Sequence, residues 1–375
     1  HIVVPMTRKI TPIQDLKCLW QLIKIFRKER PDIVHSHTPK AGLLGMLAAR
    51  IAGVKTRVHT VAGLPMMVEK GAKFHLLKSI EKITYAAANH VWPNSESLFQ
   101  YINKQKLTTS GKLRIIGSGS TNGINTERFN TEKLDPARME QVKASINYSP
   151  DNTYLLSIGR LVKDKGIVET VNVFTNLHKE NPALRLVLVG DFEEALDPLP
   201  AEIITTIKDN EAIIHIPWSN DVEYYMQLAH NFIFASHREG FPNVLLQAGA
   251  MKLPVICSRI TGNVDIVKQN ETGLIFEAGN ERQLQQLIKY AISHKQVVLG
   301  MAQNLKEKVV REYQRSYIWQ KIYDQYAIIA VPQRSTPGLF NDLSLIAADL
   351  WKQPGRVWEY FVLNIQLRRL SKRPS

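Results

Sequence analysis

Short apolar runs that alternate with helix-length stretches constrain the fold of this 375-residue chain more than any other feature. Strand-length apolar runs separated by amphipathic stretches are typical of parallel sheets covered by helices. The alternation forms two series, divided by a polar stretch that contains Pro136 and Pro150. We therefore expect an α/β protein with two doubly wound, Rossmann-like domains. The expected segments are a first domain over 1–140, a second domain over 141–330 and a basic and apolar tail over 331–375.

The first series predicts strands at 1–5, 32–37, 56–61, 90–95 and 112–119. Its helices are expected at 13–30, 41–53, 74–88 and 95–106. On the first helix, the apolar residues expected to face the core are Leu16, Leu19, Trp20, Ile23 and Phe26. A second face is basic and carries Lys17, Gln21, Lys24 and Lys28. That second face is either simply solvated or rests on anionic lipid.

The second series predicts strands at 153–160, 184–190, 212–217, 231–236, 253–258 and 273–279. Its helices are expected up to 180, near 221–229, and at 243–252, 280–294, 299–313 and 314–330. The tail mixes tryptophans with arginines and lysines, a composition suited to a lipid interface. Alternatively, the tail docks on the protein itself or is a disordered end.

Composition narrows the function classes. The two cysteines, Cys18 and Cys257, have no metal-ligand spacing around them, which disfavours a disulfide scaffold or a zinc site and favours a reducing cytoplasm. The net charge is +14, and residues 1–60 alone carry eleven basic and three acidic side chains. Such a patch favours a polyanionic partner, namely nucleic acid, an anionic membrane or a phosphorylated substrate. A solvated basic face is the other interpretation.

The segment “SIGRLVKDKG” places three residues suited to phosphate at the end of a predicted strand. Gly159 allows a ligand to approach the backbone, Arg160 offers a planar fork of donors, and Lys165 adds a point charge. The spacing predicts a diphosphate clamp. The alternative is that both cations are ordinary surface residues.

The segment “SHREGFPNVLLQAGAMKLPVI” predicts an anion site at the start of a helix. Pro242 suits the first helical position, because its missing N–H would be unpaired there in any case. The free N–H groups of Asn243 and Val244 would then face the strand ends. A carboxylate is unfavourable beside phosphate, so Glu239 is expected to bind neutral sugar hydroxyls. Gly262 lies in a small-residue turn where backbone can touch a ligand.

These motifs resemble the family-four retaining glycosyltransferases of the GT-B architecture, in which two Rossmann-like domains face a cleft. The resemblance extends from the start to about residue 330 and is strongest in “GRLVKDKG”, “SHREGFPNVLLQAGAMKLPVI”, “TGNVDIVKQNETGLIF” and “NGINTERF”. The segment “PDIVHSHTPKAGLLGMLAAR” is similar to members that build bacterial capsules, O-antigens and other lipid-linked polysaccharides.

The resemblance implies roles for individual residues. Arg160 and Lys165 would neutralise the donor diphosphate, and Glu239 would bind hydroxyls of the transferred sugar. The donor-binding residues that it implies are Gly159, Gly240, Phe241, Pro242, Asn243, Gln247 and Gly262.

The chain departs from the family pattern at three places. Gln247 stands where the family has a second Glu that holds the ribose hydroxyls, although an amide can still hydrogen-bond a diol. Ala62 and Gly63 replace a His-Gly pair, which leaves His59 as the candidate catalytic histidine or as a packed core residue. The pattern also has a strand and a Gly-rich loop ahead of His1, so we expect the first domain to lack its N-terminal strands.

The expected function is retaining transfer of a sugar, hexosyl or N-acetylhexosaminyl, from a nucleoside diphosphate, with UDP favoured, to a lipid-linked saccharide. No Asp-x-Asp stands at a predicted strand end, so neither a metal nor a cofactor is expected. The first domain would bind the acceptor at the cytoplasmic face of an anionic membrane. The alternatives are a nucleotide-sugar epimerase of the same fold and a non-catalytic binding module. Nucleic-acid binding fits the charge but has no reading motif.

Overall fold

The computed structural model describes residues 2–7, 11–193 and 197–330 and the backbone of 364–365. The predicted tail therefore lies, apart from that pair, outside the described residues. The chain divides into two compact units. Unit 1 comprises His1–Asn94, Phe99–Ile115 and the chain from Tyr323 onward, and unit 2 comprises Ser95–Leu98 and Ile116–Ile322.

Unit 1 is built on a parallel sheet. Its strands are β1 (Ile33–His37), β2 (Thr56–Val61) and β3 (His90–Pro93), in that spatial order. A two-residue strand, Asn364–Ile365, pairs antiparallel with β1. The helices of this part of the chain are α1 (Pro12–Glu29), α2 (Pro39–Ile51), α3 (Gly71–Ala87) and α4 (Glu96–Lys104). The four predicted helices and the three central strands are thus confirmed.

Three predictions in this part of the chain are wrong. Residues 2–7 form no regular element, because no described strand pairs with this apolar run. The predicted strand at 112–119 is reduced to a single bridge between Leu113 and Val91, since a turn follows in which Gly119 donates to the Ile116 carbonyl. On α1 the core face is also shifted. Leu16 and Trp20 are exposed, and the buried residues are Cys18, Leu22, Ile23 and Phe26.

Unit 2 contains a six-stranded, all-parallel sheet. Its strands are β4 (Thr153–Ile158), β5 (Leu184–Val189), β6 (Ile213–Ile216), β7 (Asn231–Phe234), β8 (Val255–Ser258) and β9 (Leu274–Phe276). The helices that follow α4 along the chain are α5 (Pro136–Ser145), α6 (Ile167–Glu180), α7 (Ala201–Asp209), α8 (Val222–Leu228), α9 (Asn243–Ala250), α10 (Asn263–Ile266), α11 (Glu281–Ser293), α12 (Lys295–Tyr313) and α13 (Arg315–Ile329).

Both faces of this sheet are buried, which explains the nearly continuous apolar runs. In β4, Tyr154 and Leu156 enter one core cluster and Leu155 enters the other. Val187 and Leu188 of β5 divide in the same way between the two clusters. Because successive side chains of a strand point to opposite faces, one core lies on each side of the sheet.

The strand order β6-β5-β4-β7-β8-β9 reverses direction between β4 and β7. Connections from β4 run outward to one edge, and those from β7 run outward to the other. In such a sheet the loops at the carboxyl ends of the two central strands diverge and leave a crevice between them. The fold therefore has a binding position at the ends of β4 and β7.

The packing boundary differs from the predicted boundary at residue 140. Ile124 and Phe129 are buried in the core of unit 2, and the long continuous part of this unit starts at Ile116. The polar stretch, for which the alternation predicts no helix, contains α5. Asp135 caps that helix by accepting the N–H of Ala137 at 2.9 Å, and Pro136 occupies its first position. Both are standard helix-start signals.

Within the described part of the chain, none of the helices is both long and apolar enough to cross a membrane.

Candidate functional site

Arg160 and Lys165 follow β4 at the crevice end of the sheet of unit 2. The guanidinium of Arg160 is half exposed and donates to the carboxylate of Glu193. Lys165 ends a short 3-10 helix, and Gly166 then takes a left-handed conformation with φ 67°. A Cβ at position 166 would collide with the carbonyl oxygen of Ala235. The glycine thus lets the loop after β4 lie directly against the end of β7.

Lys165 and Glu239 form an ion pair across the switch point, although 74 residues separate them in the chain. The side chain of Glu239 is only 15% exposed, and Ser236 at the end of β7 donates its hydroxyl to the same carboxylate oxygen at 3.1 Å. The Lys165 ammonium also lies 6.0 Å from the centre of the Phe234 ring. The structure therefore brings the lysine of one predicted motif together with the glutamate of the other.

Glu239 does not need a neutral ligand to be stable at this position. The sequence-based interpretation paired its carboxylate with sugar hydroxyls because phosphate would repel it. In the structure, Lys165 supplies the compensating charge directly. Lysine has three N–H donors, so it can hold Glu239 with one and leave others for a phosphate oxygen.

Helix α9 starts beside this ion pair. Pro242 is its N-cap residue, one position before the predicted place, and Asn243 is the first helical residue. Among the described side chains none caps the first turn of α9. Its leading N–H groups therefore offer donors and a positive dipole end for an anion. The ring of Phe241 packs 5.4 Å from that of Tyr313.

Gly262 lies against the loop that leads into α9. Its φ is 84°, and a Cβ there would collide with the carbonyl oxygen of Gly240. The N–H of Gly262 donates to Asp265 at 3.0 Å, which fixes the turn at the start of α10. Gln247 is half-buried one turn into α9. The predicted residues Gly240 and Gly262 thus lie in contact, and Gln247 lies on the helix that follows Gly240.

The motif search missed two charged pairs next to Glu239. His237 contacts Glu169 at 2.6 Å between Nε2 and Oε1, and Arg238 contacts Asp164 at 3.0 Å. The hydrogen bond to Glu169 raises the pKa of His237, despite partial burial of the ring. The sequence signal was the adjacency of both residues to Glu239, but their partners lie on segments that only the fold brings close.

The ends of β5 and β6 add an exposed aromatic residue to the same edge of the sheet. The backbone N–H of Trp218 donates to Asp191 at 3.0 Å, and the Trp218 side chain is 54% exposed. Helix α8 follows the loop that carries Trp218. Its first turn is held by Arg128, whose guanidinium pairs with both oxygens of Glu223 at 2.9 and 2.8 Å. Asp191 and Trp218 follow different strands, so their contact is visible only in the fold.

His59, the candidate catalytic histidine, lies in the core of unit 1 and is 2% exposed. Its Nδ1 is 2.9 Å from the Ser36 hydroxyl, and a Cβ on Gly42 of α2 would collide with its ring. Burial lowers the pKa of His59 to about 3, so the ring is neutral. Of the two interpretations of His59, this position favours the packed core residue, because its ring lies against Ser36 of β1 and Gly42 of α2.

Comparison with known proteins places both parts of the chain in related families. Residues 139–310 match the family “Glycosyl transferases group 1”, and residues 2–95 match the family “Glycosyl transferase 4-like”. Among solved structures, Anabaena Alr3699/HepE in complex with UDP is similar with a TM-score of 0.71 at 16% identity. That similarity covers 84% of this chain and 82% of the other, and it shows the GT-B fold.

Two relatives are similar over most of their length. A capsular polysaccharide biosynthesis glycosyltransferase, CapM, of Staphylococcus aureus is 34% identical over 326 residues, which are 86% of this chain and 84% of the relative. A UDP-Gal:alpha-D-GlcNAc-diphosphoundecaprenol alpha-1,3-galactosyltransferase of Escherichia coli is 28% identical over 87% of this chain and 83% of the relative. The resemblance drawn from the motifs is thereby confirmed, and the chain belongs to the group 1 glycosyltransferases of GT-B fold that build bacterial polysaccharides.

Proposed function

We propose that this glycosyltransferase transfers a sugar, with retention of anomeric configuration, from a UDP-sugar to a lipid-linked saccharide. The observation that carries the donor assignment is the Lys165–Glu239 ion pair beside Arg160 and the uncapped start of α9. Two cations, a helix N-terminus and a carboxylate at one switch point are the groups that a diphosphate joined to a sugar requires.

The donor would lie along the carboxyl ends of the central strands. Arg160 and Lys165 would bind the diphosphate, and Glu239 would accept hydrogen bonds from sugar hydroxyls. Gln247 would bind the ribose through its amide instead of the carboxylate that the family pattern has. The names of the neighbours favour UDP, since HepE was solved with UDP and the E. coli relative is named for UDP-Gal.

The chemistry would depend mainly on charge stabilisation. As the bond between the sugar C1 and the diphosphate oxygen breaks, its electron pair passes to the leaving UDP. A donor phosphate oxygen then takes the proton of the attacking acceptor hydroxyl. Arg160, Lys165 and the α9 dipole would stabilise the developing negative charge where it forms. Because these groups supply the positive charge, we expect transfer of a hexosyl or N-acetylhexosaminyl group without a metal or cofactor.

The acceptor assignment depends on the relatives. The E. coli relative is named for an acceptor linked to diphosphoundecaprenol, a lipid carrier. A chain that uses such an acceptor would work as a peripheral protein on the cytoplasmic face of a membrane. The excess of basic residues in 1–60 supports an anionic surface as the partner.

Alanine substitution at Arg160 and Lys165 tests the donor site. We expect each change to lower kcat/KM for UDP release by about 100-fold or more, as when a transition-state donor is removed. Lys163→Ala is the matched control, because Lys163 lies in the same 3-10 helix and is exposed. Near-wild-type rates in Arg160→Ala and Lys165→Ala would refute the clamp, and loss of activity in EDTA would refute metal independence.

Product analysis tests the reaction class. With a UDP-sugar and a lipid-linked acceptor, we expect an elongated acceptor whose new linkage keeps the donor's anomeric configuration, observed by NMR. A changed UDP-sugar in the absence of acceptor would indicate an epimerase. Tight UDP-sugar binding without any product would indicate a binding module.

A further inference from the structure

A cavity of about 600 Å³ lies at the amino ends of the central strands of unit 2, opposite the donor crevice. Thr153, Asn231 and Pro254, at or just before the starts of β4, β7 and β8, line it. Ala291 of α11 and Lys295 of α12 line it as well. Small-molecule sites have volumes of about 300–1,000 Å³. The cavity has this size, and every residue of its lining belongs to unit 2.

The amide of Asn231 gives this cavity an unused hydrogen-bond acceptor. Asn231 is the first residue of β7 and is 3% exposed. Its Oδ1 is buried and has no hydrogen-bond partner among the described residues. Because side chains alternate along a strand, the amide lies on the same side as Ile233, in whose core cluster Ala291 and Val298 are buried. These two also line the cavity. A buried acceptor without a donor is unfavourable, so a ligand that brings a hydroxyl group would be stabilised here.

His230, next to Asn231 in the chain, adds an N–H donor to the lining. Its Nδ1 lies 3.1 Å from the backbone nitrogen of Tyr154 and accepts that N–H. Partial burial and the nearby charge of Lys295 lower the pKa of His230, so the ring is neutral at pH 7. In a neutral ring whose Nδ1 accepts, the proton is on Nε2. Nε2 is therefore the atom with which His230 can donate to a ligand.

Two exposed lysines give the lining positive charge. Neither Lys252 nor Lys295 forms an ion pair with a carboxylate of the described residues. Lys252 follows the end of α9 with φ 55°, a left-handed conformation that glycine or asparagine usually adopts after a helix. The acidic residue of the lining, Asp151, is exposed. The cavity thus combines cations and an N–H donor with two groups, Asp151 and Asn231, that accept hydrogen bonds.

We propose that this cavity binds a small phosphorylated polyol, such as a sugar phosphate, at a site separate from the donor site. Lys252, Lys295 and the Nε2 of His230 donate to the phosphate oxygens, and Asn231 and Asp151 accept from hydroxyl groups. Three donors on different segments match the several oxygens of a phosphate better than the two of a carboxylate. The two sites lie at opposite ends of β4, whose six residues span about 20 Å. Both can therefore be occupied at once, and this site does not depend on the proposed transfer reaction.

Isothermal titration of the full chain with glucose 6-phosphate tests the proposal. The titration is made without UDP and again with UDP at saturation, so that the probe is excluded from the donor site in the second measurement. We expect the same Kd for glucose 6-phosphate in both. Glucose alone and inorganic phosphate alone should each bind at least about tenfold more weakly, because each makes only one of the two sets of hydrogen bonds.

Three variants separate the two halves of the ligand. Lys252→Gly and Lys295→Gln should each raise the Kd for glucose 6-phosphate about tenfold, as for loss of a hydrogen bond to a charged group. Glycine suits φ 55°, so Lys252→Gly should be at least as stable as the wild type while it loses affinity. Asn231→Leu should weaken glucose 6-phosphate and leave inorganic phosphate unchanged. Lys179→Gln and Lys208→Gln, at exposed lysines of α6 and α7 outside the lining, are the matched controls and should keep the wild-type Kd.

Four results would overturn the proposal: no binding of glucose 6-phosphate to the wild type, equally tight binding of glucose, a wild-type Kd in both lysine variants, or loss of binding in the presence of UDP. The last would place the probe in the donor site. Lys165→Ala distinguishes this proposal from the donor assignment. That variant should bind glucose 6-phosphate normally and lose UDP, whereas Lys252→Gly should do the reverse. Circular dichroism establishes that each variant is folded.

Discussion

The His237–Glu169 pair shows how a single contact supports the loop that carries Glu239. His237 lies two residues before Glu239 and bonds to Glu169 in the first turn of α6. Since α6 begins directly after Lys165 and Gly166, the pair joins the same two chain segments as the Lys165–Glu239 ion pair. Several side-chain contacts therefore fix the loop after β7 to the start of α6 and the segment before it, and among them we expect the Lys165–Glu239 pair to touch the donor.

Replacing His237 by Gln should make stability depend less on pH. The bond to Glu169 raises the pKa of His237 above 6.5, so its stabilisation is full below pH 6.5 and is lost as pH rises through the raised pKa. Burial alone would raise the pKa of Glu169, but the bond to His237 keeps that pKa below 4.5. The stabilisation that the Glu169 carboxylate contributes is therefore lost only as the pH falls through its lowered pKa. In urea unfolding we expect His237→Gln to cost at most about 1 kcal/mol at pH 6 and little at pH 9.

The control is His294→Gln, in which an exposed ring bonded to Ser293 and the Tyr290 carbonyl is removed. A loss in His237→Gln that is equal at pH 6 and pH 9 would contradict the charged-pair interpretation.

At the scale of elements, the site depends on close contacts between loops that follow different strands. Gly262, after β8, touches the carbonyl oxygen of Gly240, after β7, and Gly166, after β4, touches that of Ala235. Each contact leaves no room for a Cβ. The three loops therefore form a continuous layer over the ends of β4, β7 and β8, on which the start of α9 is positioned.

Gly262→Ala should break this layer. The added Cβ would collide with Gly240 O, and φ 84° is unfavourable for alanine, so we expect a loss of about 1–3 kcal/mol in unfolding free energy together with weaker UDP binding. Gly300→Ala in α12, with no described atom within 4 Å of the new Cβ, should instead gain about 0.5–1 kcal/mol. Calorimetry measures the unfolding free energy of the two variants, and titration measures their affinity for UDP. Wild-type stability and UDP affinity in Gly262→Ala would contradict a layer that depends on this contact.

Sequence reasoning predicted the elements of unit 2 well because buried parallel strands are uninterrupted apolar runs, as in β5. It failed where apolar content was the sole criterion. Residues 2–7 are apolar but unpaired, and Leu16 and Trp20 are apolar but exposed. Arg160, Lys165 and Glu239 could be proposed from local motifs. The Lys165–Glu239 contact could not, since it depends on β7 lying next to β4.

At the scale of the whole molecule, the predicted donor residues from Gly159 to Gly262 all belong to unit 2. A ligand that binds only the folded state stabilises the unit that holds it. We therefore expect UDP at 100 times its Kd to raise the unfolding free energy of unit 2 by about 2.7 kcal/mol.

Hydrogen exchange monitored by mass spectrometry measures this effect segment by segment. Protection by UDP should be largest in β4, β7 and the first turns of α6 and α9, and Lys165→Ala should remove it. Protection that persists in Lys165→Ala would place the nucleotide elsewhere.

The strand order of unit 2 also has a consequence for how the enzyme is made. Chain growth delivers β4, β5 and β6 first, and these can form one half of the sheet. Until β7 is synthesised, β4 has an open edge whose N–H and C=O groups are unpaired, an edge at which another chain can pair. Closure of that edge needs a contact between distant parts of the sequence, which is slow to form. The step that creates the donor site is therefore also the step that covers the open edge of β4 during synthesis.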